Sequence, residues 1–205
     1  MPMGFGNWLA AIVTWAGAYL VGSLPIGVLI ASAYGRDLRK AGSGNIGATN
    51  AWRVLGPSVG LPVFVLDVAK GAVPVLLARW WFTDQSFTIA FTAALTAVGH
   101  VWSCFLGFQG GKGVSTCFGA LLAVNGWVAL MAFVVWLAIL IVYQYVSLAS
   151  VVATISVGFL MGMAGYRGAY IAWTLFAALL TLYTHRENVR RLCKATEPRA
   201  RIYGR

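Results

Sequence analysis

The chain has 205 residues, of which 60% are hydrophobic and only 10% are charged. Apolar runs of about 20 residues recur along its whole length, which excludes an ordinary soluble domain and is typical of bilayer-spanning helices. The net charge is +10, and the basic residues flank these runs. We therefore expect membrane lipids and not nucleic acid as the partner of the basic residues.

No polar linker divides the sequence, so residues 1–205 are expected to form one membrane domain. The first apolar run is longer than the core of a signal peptide, and we expect it to be a retained helix. The cysteines, even together with His100, match no usual zinc-site spacing. We therefore expect free thiols and neither a metal nor a cofactor; the three residues are Cys104, Cys117 and Cys193.

The sequence contains five apolar stretches. They run from about Trp8 to Tyr34, Ser58 to Phe82 with Pro57 suited to the first turn, Phe87 to Leu106, Val114 to Ala164, and Gly168 to Thr184.

The stretch from Val114 to Ala164 is too long for one membrane helix. About 50 residues would make a helix of about 75 Å, against a hydrocarbon core of about 30 Å. Breaks at Asn125-Gly126 and near Tyr143 to Ser147 predict helices over 114–124, 126–145 and 148–164. The first is too short to span the membrane and is expected to pack as a half-helix. The alternative is one long helix through Asn125, with six segments in all.

The distribution of positive charge favours seven segments over six. With seven, the loops after the first and third segments lie on the side of the C-terminal tail, and that side holds twelve of the fifteen Lys and Arg residues. Six segments would place the seven tail cations opposite the first basic loop, against the positive-inside tendency. We predict an all-α bundle of seven transmembrane helices with one short helix, the N-terminus outside and the C-terminus in the cytoplasm.

The stretch Gly42 to Arg53 is the most polar part of the chain. Its GxGxxG spacing matches the dinucleotide-binding pattern, but no strand precedes it and Asp67 lies inside an apolar helix, so we reject that interpretation. Glycines admit an anion to backbone N–H groups, polar side chains can bind its oxygens, and Arg53 can bind phosphate in bidentate fashion. The predicted phosphate ligands are Gly42, Ser43, Gly44, Asn45, Thr49, Asn50 and Arg53. The alternative is a flexible polar loop.

A second anion cradle is predicted at Gly110-Gly111-Lys112-Gly113, which precedes a helix. Open amides at a helix N-terminus favour anions, and Lys112 adds a positive charge. The motif is not a Walker loop, because Leu106 occupies the place of its first glycine and Gly113 follows the lysine. A tight turn with a snorkelling lysine is an equal alternative.

Further candidates lie in the tail and within two helices. His185 and Asn188 share a helical face, although a basic tail on anionic lipid explains the neighbouring cations as well. Asp67 and Lys70 lie three residues apart inside the second segment, as a structural ion pair or as support for a site. His100 closes a helix, where packing is at least as plausible as catalysis.

These clusters bind anions and contain no nucleophile elbow or paired catalytic carboxylates. A face with two phosphate cradles suits a phosphorylated soluble substrate and a lipid-like one. The alternative is a transporter or flippase for a phosphorylated solute or lipid, although no inverted repeat is visible.

The sequence resembles the acyl-phosphate-dependent glycerol-3-phosphate acyltransferase family, the PlsY type of bacterial inner-membrane enzyme. The matching segments are Gly22 to Pro25, Gly42 to Arg53, Gly99-His100, Gly110 to Thr116 and His185 to Glu197. Four positions depart from the family pattern: Ser103 (usually proline), Gln109 (often lysine), Ser115 (often alanine) and Ala195 (usually glycine).

The resemblance implies transfer of an acyl group from acyl phosphate to the 1-hydroxyl of sn-glycerol 3-phosphate, the first step of phospholipid synthesis. It implies phosphate-contacting or catalytic roles for Ser43, Arg53 and Lys112, active-site roles for His185 and Asn188, and a tail-holding role for Glu197. It leaves open whether His185 or a substrate phosphate takes the hydroxyl proton. No obligate protein partner is evident.

Overall fold

The computed structural model describes residues 5–200, and every regular element in that range is helical. The helices are α1 (Phe5–Ser23), α2 (Ile26–Ala33), α3 (Ala48–Leu55), α4 (Pro57–Trp81), α5 (Ser86–Val101), α6 (Val114–Val124), α7 (Gly126–Tyr143), α8 (Val146–Met163), α9 (Ala169–Thr184) and α10 (Arg186–Cys193). Two 3₁₀ turns lie at Leu38–Lys40 and Cys104–Leu106.

Among these described residues, five segments are long and apolar enough to cross a membrane, and α6 and α9 are shorter apolar helices. The predicted helix over 114–124 is confirmed, and a single long helix through Asn125 is excluded. Asn125 ends α6 and caps α7, because its Oδ1 accepts hydrogen bonds from the backbone N–H groups of Trp127 and Val128. Pro57 lies in the first turn of α4, as predicted.

The first apolar segment forms one candidate membrane span over Gly6–Ala33, close to the predicted limits of about Trp8 to Tyr34, and this span contains a break. Helix α1 ends at Ser23, and α2 begins after Pro25. Proline disfavours a helical conformation at the residue before it, here Leu24. The Leu24 carbonyl instead accepts a hydrogen bond from Lys70 Nζ at 2.8 Å. A buried lysine on α4 therefore stabilises this break.

Residues up to Val124 form one compact unit. In it α1 packs on α5, and α4 packs on α3, α5 and α6. Glycine permits the closest helix approaches: a Cβ atom at Gly119 of α6 would collide with the Val68 carbonyl of α4, and one at Gly22 would collide with the Thr96 backbone of α5. Small residues at these crossings let polar groups of neighbouring helices meet inside the unit.

Residues 125–200 form a second compact unit. Helix α8 packs between α7 and α9, and the short α10 contacts both α8 and α9. The backbone N–H of Ala200 donates to the Gln144 carbonyl at 2.7 Å, which places Ala200 beside the α7–α8 turn. The expectation of a single domain over 1–205 stays a prediction.

Candidate active site

The loop before α3 is organised by one buried side chain, that of Asn50. Its Nδ2 donates to the carbonyls of Leu38, Ala41 and Asn45 at 2.8–3.1 Å, and its Oδ1 accepts the backbone N–H of Ser43 at 2.8 Å. These contacts occupy the amide donors, so the role predicted for Asn50 as a phosphate ligand needs revision. It fixes the loop that would hold the phosphate.

Three other predicted ligands also contribute to loop geometry. The Asn45 Oδ1 accepts the backbone N–H of Gly47 at 2.8 Å, just before α3 begins. Gly42 adopts a φ of 60°, and a Cβ atom there would collide with Asn50 Oδ1. Gly44 also has a positive φ, of 74°. This backbone path therefore depends on glycine, because L side chains disfavour the left-handed region.

Three of the predicted ligands lie on the exposed surface of the loop and of α3. The Ser43, Thr49 and Arg53 residues are exposed, and within residues 5–200 their side chains make no hydrogen bond. Thr49 and Arg53 lie four residues apart on α3 and so share one helical face. A hydroxyl and a guanidinium presented together can bind phosphate oxygens.

The opposite face of α3 is anchored in a small apolar core. Ala51 is fully buried with Leu38, Val59 and Val63, contributed by the Leu38–Lys40 turn and by α4. Because α3 has only eight residues, its position depends on this packing more than on its own helical stability. The core therefore sets the position of Arg53 on the outer face.

In the second predicted anion cradle, two backbone N–H groups that were expected to be open are hydrogen-bonded within the protein. The backbone N–H groups of Gly110 and Gly111 donate to the carbonyls of Val101 and His100, at 2.9 and 3.0 Å. These two groups cannot also serve as anion ligands, which corrects the roles predicted for Gly110 and Gly111. Gly113 has a φ of 80° and leads into α6. Lys112, half-buried, remains the cation of this loop.

A buried polar cluster lies beneath that loop. Lys70 Nζ is 2.8 Å from Asp67 Oδ1, which confirms the predicted ion pair. Asp67 Oδ1 is also 3.7 Å from His100 Nδ1, and that nitrogen is 3.0 Å from Thr116 Oγ1. All four side chains are at least 90% buried. Sequence reasoning missed the His100–Thr116 contact.

In the second unit, Glu197 holds the tail against the helices. Its Oε1 accepts hydrogen bonds from Asn188 Nδ2 at 2.6 Å and from Ser147 Oγ at 2.7 Å. Its Oε2 lies 2.7 Å from Arg191 Nε. These contacts support the tail-holding role expected for Glu197. Ser147 was not predicted here, although a serine interrupting an apolar run was a signal.

His185 is buried where α9 meets α10, and its ring orientation is defined. Nδ1 lies 2.9 Å from the Thr181 carbonyl, which can only accept, so Nδ1 carries the proton. In the neutral ring the lone pair is therefore on Nε2. Asn188 lies one turn further, in α10.

Ala195, where the family usually has glycine, adopts a left-handed φ of 55°. This conformation costs a non-glycine residue about 1–2 kcal/mol. The replacement, which looks conservative in sequence, therefore strains the turn that follows α10.

The Glu197 cluster is expected to make stability depend on acid pH. Burial raises the pKa of Glu197, but the hydrogen bonds from Asn188, Ser147 and Arg191 together outweigh burial and lower it. A lowered pKa means that the stabilisation is complete above the ordinary glutamate value of about 4.3 and is lost as pH falls through the folded value. The thermal midpoint in detergent should thus fall more steeply between pH 5 and pH 3 in the wild type than in Glu197→Gln.

Glu187→Gln is the matched control, because Glu187 is an exposed glutamate in the same region, 3.4 Å from Arg190. Its pH profile should follow that of the wild type. A Glu197→Gln profile parallel to the wild type would contradict the assignment.

Comparison with known proteins agrees with the resemblance. The sequence profile of the glycerol-3-phosphate acyltransferase family matches residues 12–195. A glycerol-3-phosphate acyltransferase of Aquifex aeolicus is 45% identical over 182 residues, covering 89% of this chain and 95% of the relative. The crystal structure of PlsY (YgiH), an integral membrane glycerol 3-phosphate acyltransferase, in its glycerol 3-phosphate form, has a TM-score of 0.90 and 44% identity, covering 93% of this chain and 95% of that one. The lysophosphatidic acid form gives a TM-score of 0.89 and 43% identity. With a match over most of its length, this integral membrane protein belongs to the glycerol-3-phosphate acyltransferase family.

Proposed function

We propose that this protein transfers an acyl group from acyl phosphate to the 1-hydroxyl of sn-glycerol 3-phosphate, giving lysophosphatidic acid and inorganic phosphate. This would be the first step of phospholipid synthesis. The observation that carries the proposal is family membership together with the similarity to solved structures in a glycerol 3-phosphate form and a lysophosphatidic acid form. The exposed face of Ser43, Thr49 and Arg53 supplies the anion-binding groups that such substrates need.

In this reaction the substrate hydroxyl oxygen forms a bond to the acyl carbon, and the bond from that carbon to the phosphate oxygen breaks. Inorganic phosphate is a good leaving group and needs no further activation. The protein therefore needs mainly to hold two anions together and to stabilise the charge that develops.

We assign the first anion to the loop before α3. Arg53 neutralises the phosphate, and the Ser43 and Thr49 hydroxyls orient it. Open backbone amides at the start of α3 add partial positive charge. Gly42, Gly44, Asn45 and Asn50 shape the loop.

The second anion is assigned to Lys112, whose ammonium acts as a point charge. Gly110 and Gly111 contribute by allowing close packing of the loop on α5, and Gly113 by allowing the turn into α6. Two cation sites explain how substrates that repel each other can be bound in one reaction.

His185 and Asn188 are proposed to act on the reacting groups. The lone pair on His185 Nε2 would accept the hydroxyl proton, or would orient the hydroxyl while a substrate phosphate oxygen accepts it. A His185→Ala variant with near-normal turnover would remove the first version. Glu197 supports this pair by fixing Asn188, and Asp67 and Lys70 support the first unit.

For topology we propose seven membrane segments with the N-terminus outside and the C-terminus in the cytoplasm, in a bacterial inner membrane. The excess of basic residues in the tail and in the loops after the first and third segments supports this orientation. The polar loops, and so the chemistry, would then face the cytoplasm, where water-soluble glycerol 3-phosphate is available.

Native Cys193 offers a test of this orientation, because it is exposed in α10. A membrane-impermeant maleimide should label it in inside-out vesicles and not in intact spheroplasts. Cys193→Ser gives the background from the half-buried Cys104. Labelling of Cys193 in intact spheroplasts would overturn the orientation.

The activity itself is tested with protein purified in detergent. Phosphate release from acyl phosphate should require glycerol 3-phosphate. A transporter or flippase would instead show no turnover in micelles, where it has no two compartments to connect.

A further inference from the structure

One histidine, His100, contacts both the Gly110–Gly113 loop and the first turn of α6. On the side before Lys112, the backbone N–H of Gly111 donates to the His100 carbonyl at 3.0 Å. A Cβ atom on Gly111 would collide with Nε2 of the His100 ring. The ring is therefore in direct contact with the residue next to Lys112, and only glycine fits there.

On the other side of Lys112, the same ring is tied to the first turn of α6. His100 Nδ1 and Thr116 Oγ1 share a hydrogen bond of 3.0 Å, and Thr116 is fully buried. The ring thus bridges Gly111 and Thr116, the two ends of a short segment that contains Lys112. A displacement of the ring would move both ends of the segment.

The histidine is in turn surrounded by polar groups of α4. Asp67 Oδ1 lies 3.7 Å from His100 Nδ1 and 2.8 Å from Lys70 Nζ. Within residues 5–200, that oxygen receives no well-aligned hydrogen bond despite the short distance to the ammonium. Lys70 also donates to the Leu24 carbonyl at the break between α1 and α2. The bridge is thereby linked to α4 and, through Lys70, to the break between α1 and α2.

We propose that His100 and Thr116 are positioning residues that hold Lys112 in place for acyl transfer. The inference rests on the proposed function and adds two residues to which no role in the reaction was assigned. Its physical basis is that small displacements of a charged group from its productive geometry cost a large factor in rate. Neither residue needs to touch the substrate for this effect.

The test compares two substitutions of Thr116 that separate its hydroxyl from its shape. Thr116→Val keeps the shape and removes the hydrogen bond, whereas Thr116→Ser keeps the hydroxyl. We expect Thr116→Val to lower kcat about tenfold, the loss expected from one hydrogen bond, with both KM values within about twofold of the wild type. Thr116→Ser should retain most of the activity.

Thr92→Val is the matched control, because Thr92 is also fully buried but its hydroxyl donates to the Thr88 carbonyl within its own helix, α5. It should leave kcat unchanged. Thermal midpoints of all three variants are measured alongside. If Thr116→Val proves unstable, Gly111→Ala is the variant that tests the inference. Its added methyl group must displace the His100 ring or the loop, and we expect this displacement to lower kcat.

Two results would overturn the inference: wild-type kcat in Thr116→Val, or equal losses in Thr116→Val and Thr116→Ser. Wild-type kcat in Gly111→Ala would do the same where that variant decides. Failure of the proposed function would look different, since the wild type itself would then form no lysophosphatidic acid.

Discussion

Replacing Arg53 by alanine is expected to lower kcat/KM for glycerol 3-phosphate by a factor of about 100 to 1000, the range for removing one preorganised donor to developing charge. Arg53 is exposed on the outer face of α3, makes no hydrogen bond within the described residues, and follows Thr49 by one turn. Its removal should cost little stability, because the helix is anchored through Ala51 on its other face. The measurement is steady-state kinetics with each substrate varied in turn.

Arg39→Ala is the control for this substitution. Arg39 lies in the 3₁₀ turn before the same loop, is largely exposed, and pairs with Asp37 at 2.9 Å. Exposed ion pairs of this kind contribute little to protein stability. The kinetics of Arg39→Ala should therefore be close to those of the wild type. Arg53→Lys should recover only part of the activity, because an ammonium cannot bind phosphate in bidentate fashion. Arg53→Ala kinetics within about threefold of the wild type would contradict the phosphate assignment, which expects a loss of at least 100-fold.

Replacing Lys70 by methionine is expected to destabilise the protein by about 3–5 kcal/mol, the cost of leaving one charge of a buried pair without its partner. Lys70 and Asp67 are both more than 90% buried, and Lys70 also satisfies the Leu24 carbonyl at the break in the first segment. The measurement is the free energy of unfolding or the thermal midpoint in detergent.

The double variant Asp67→Leu, Lys70→Met provides the comparison. Replacing both members of a buried ion pair by apolar side chains is often close to neutral. The double variant should therefore be more stable than Lys70→Met alone. Energetic coupling between these residues would be contradicted if the double variant lost as much stability as Asp67→Leu and Lys70→Met lose in sum when each is made alone.

Helix limits were predictable wherever a strong local signal interrupts an apolar run. Asn125 marks the end of α6 because its side chain caps α7, and Pro57 starts α4. The break at Leu24 carried a similar signal in Pro25, but the length of the apolar run concealed it. Its stabilising partner, Lys70, lies 46 residues away, and no local pattern indicates that contact.

The residue types of the candidate site were also predictable, but their division of labour was not. A sequence shows that Asn50 and Thr49 are both polar. It does not show that one side chain is buried with three carbonyls while the other is exposed. In the same way, Gly110 and Gly111 suggest open amides until the fold brings the carbonyls of Val101 and His100 against them. Such assignments depend on tertiary contacts that spacing does not encode.

The decisive measurement of acyl transfer follows both products of one reaction. Purified protein is mixed with acyl phosphate and labelled glycerol 3-phosphate, and lysophosphatidic acid and inorganic phosphate are counted together. We expect equal amounts of the two products, neither product when glycerol replaces glycerol 3-phosphate, and a strong decrease of both in Arg53→Ala. Phosphate release without lysophosphatidic acid would contradict it.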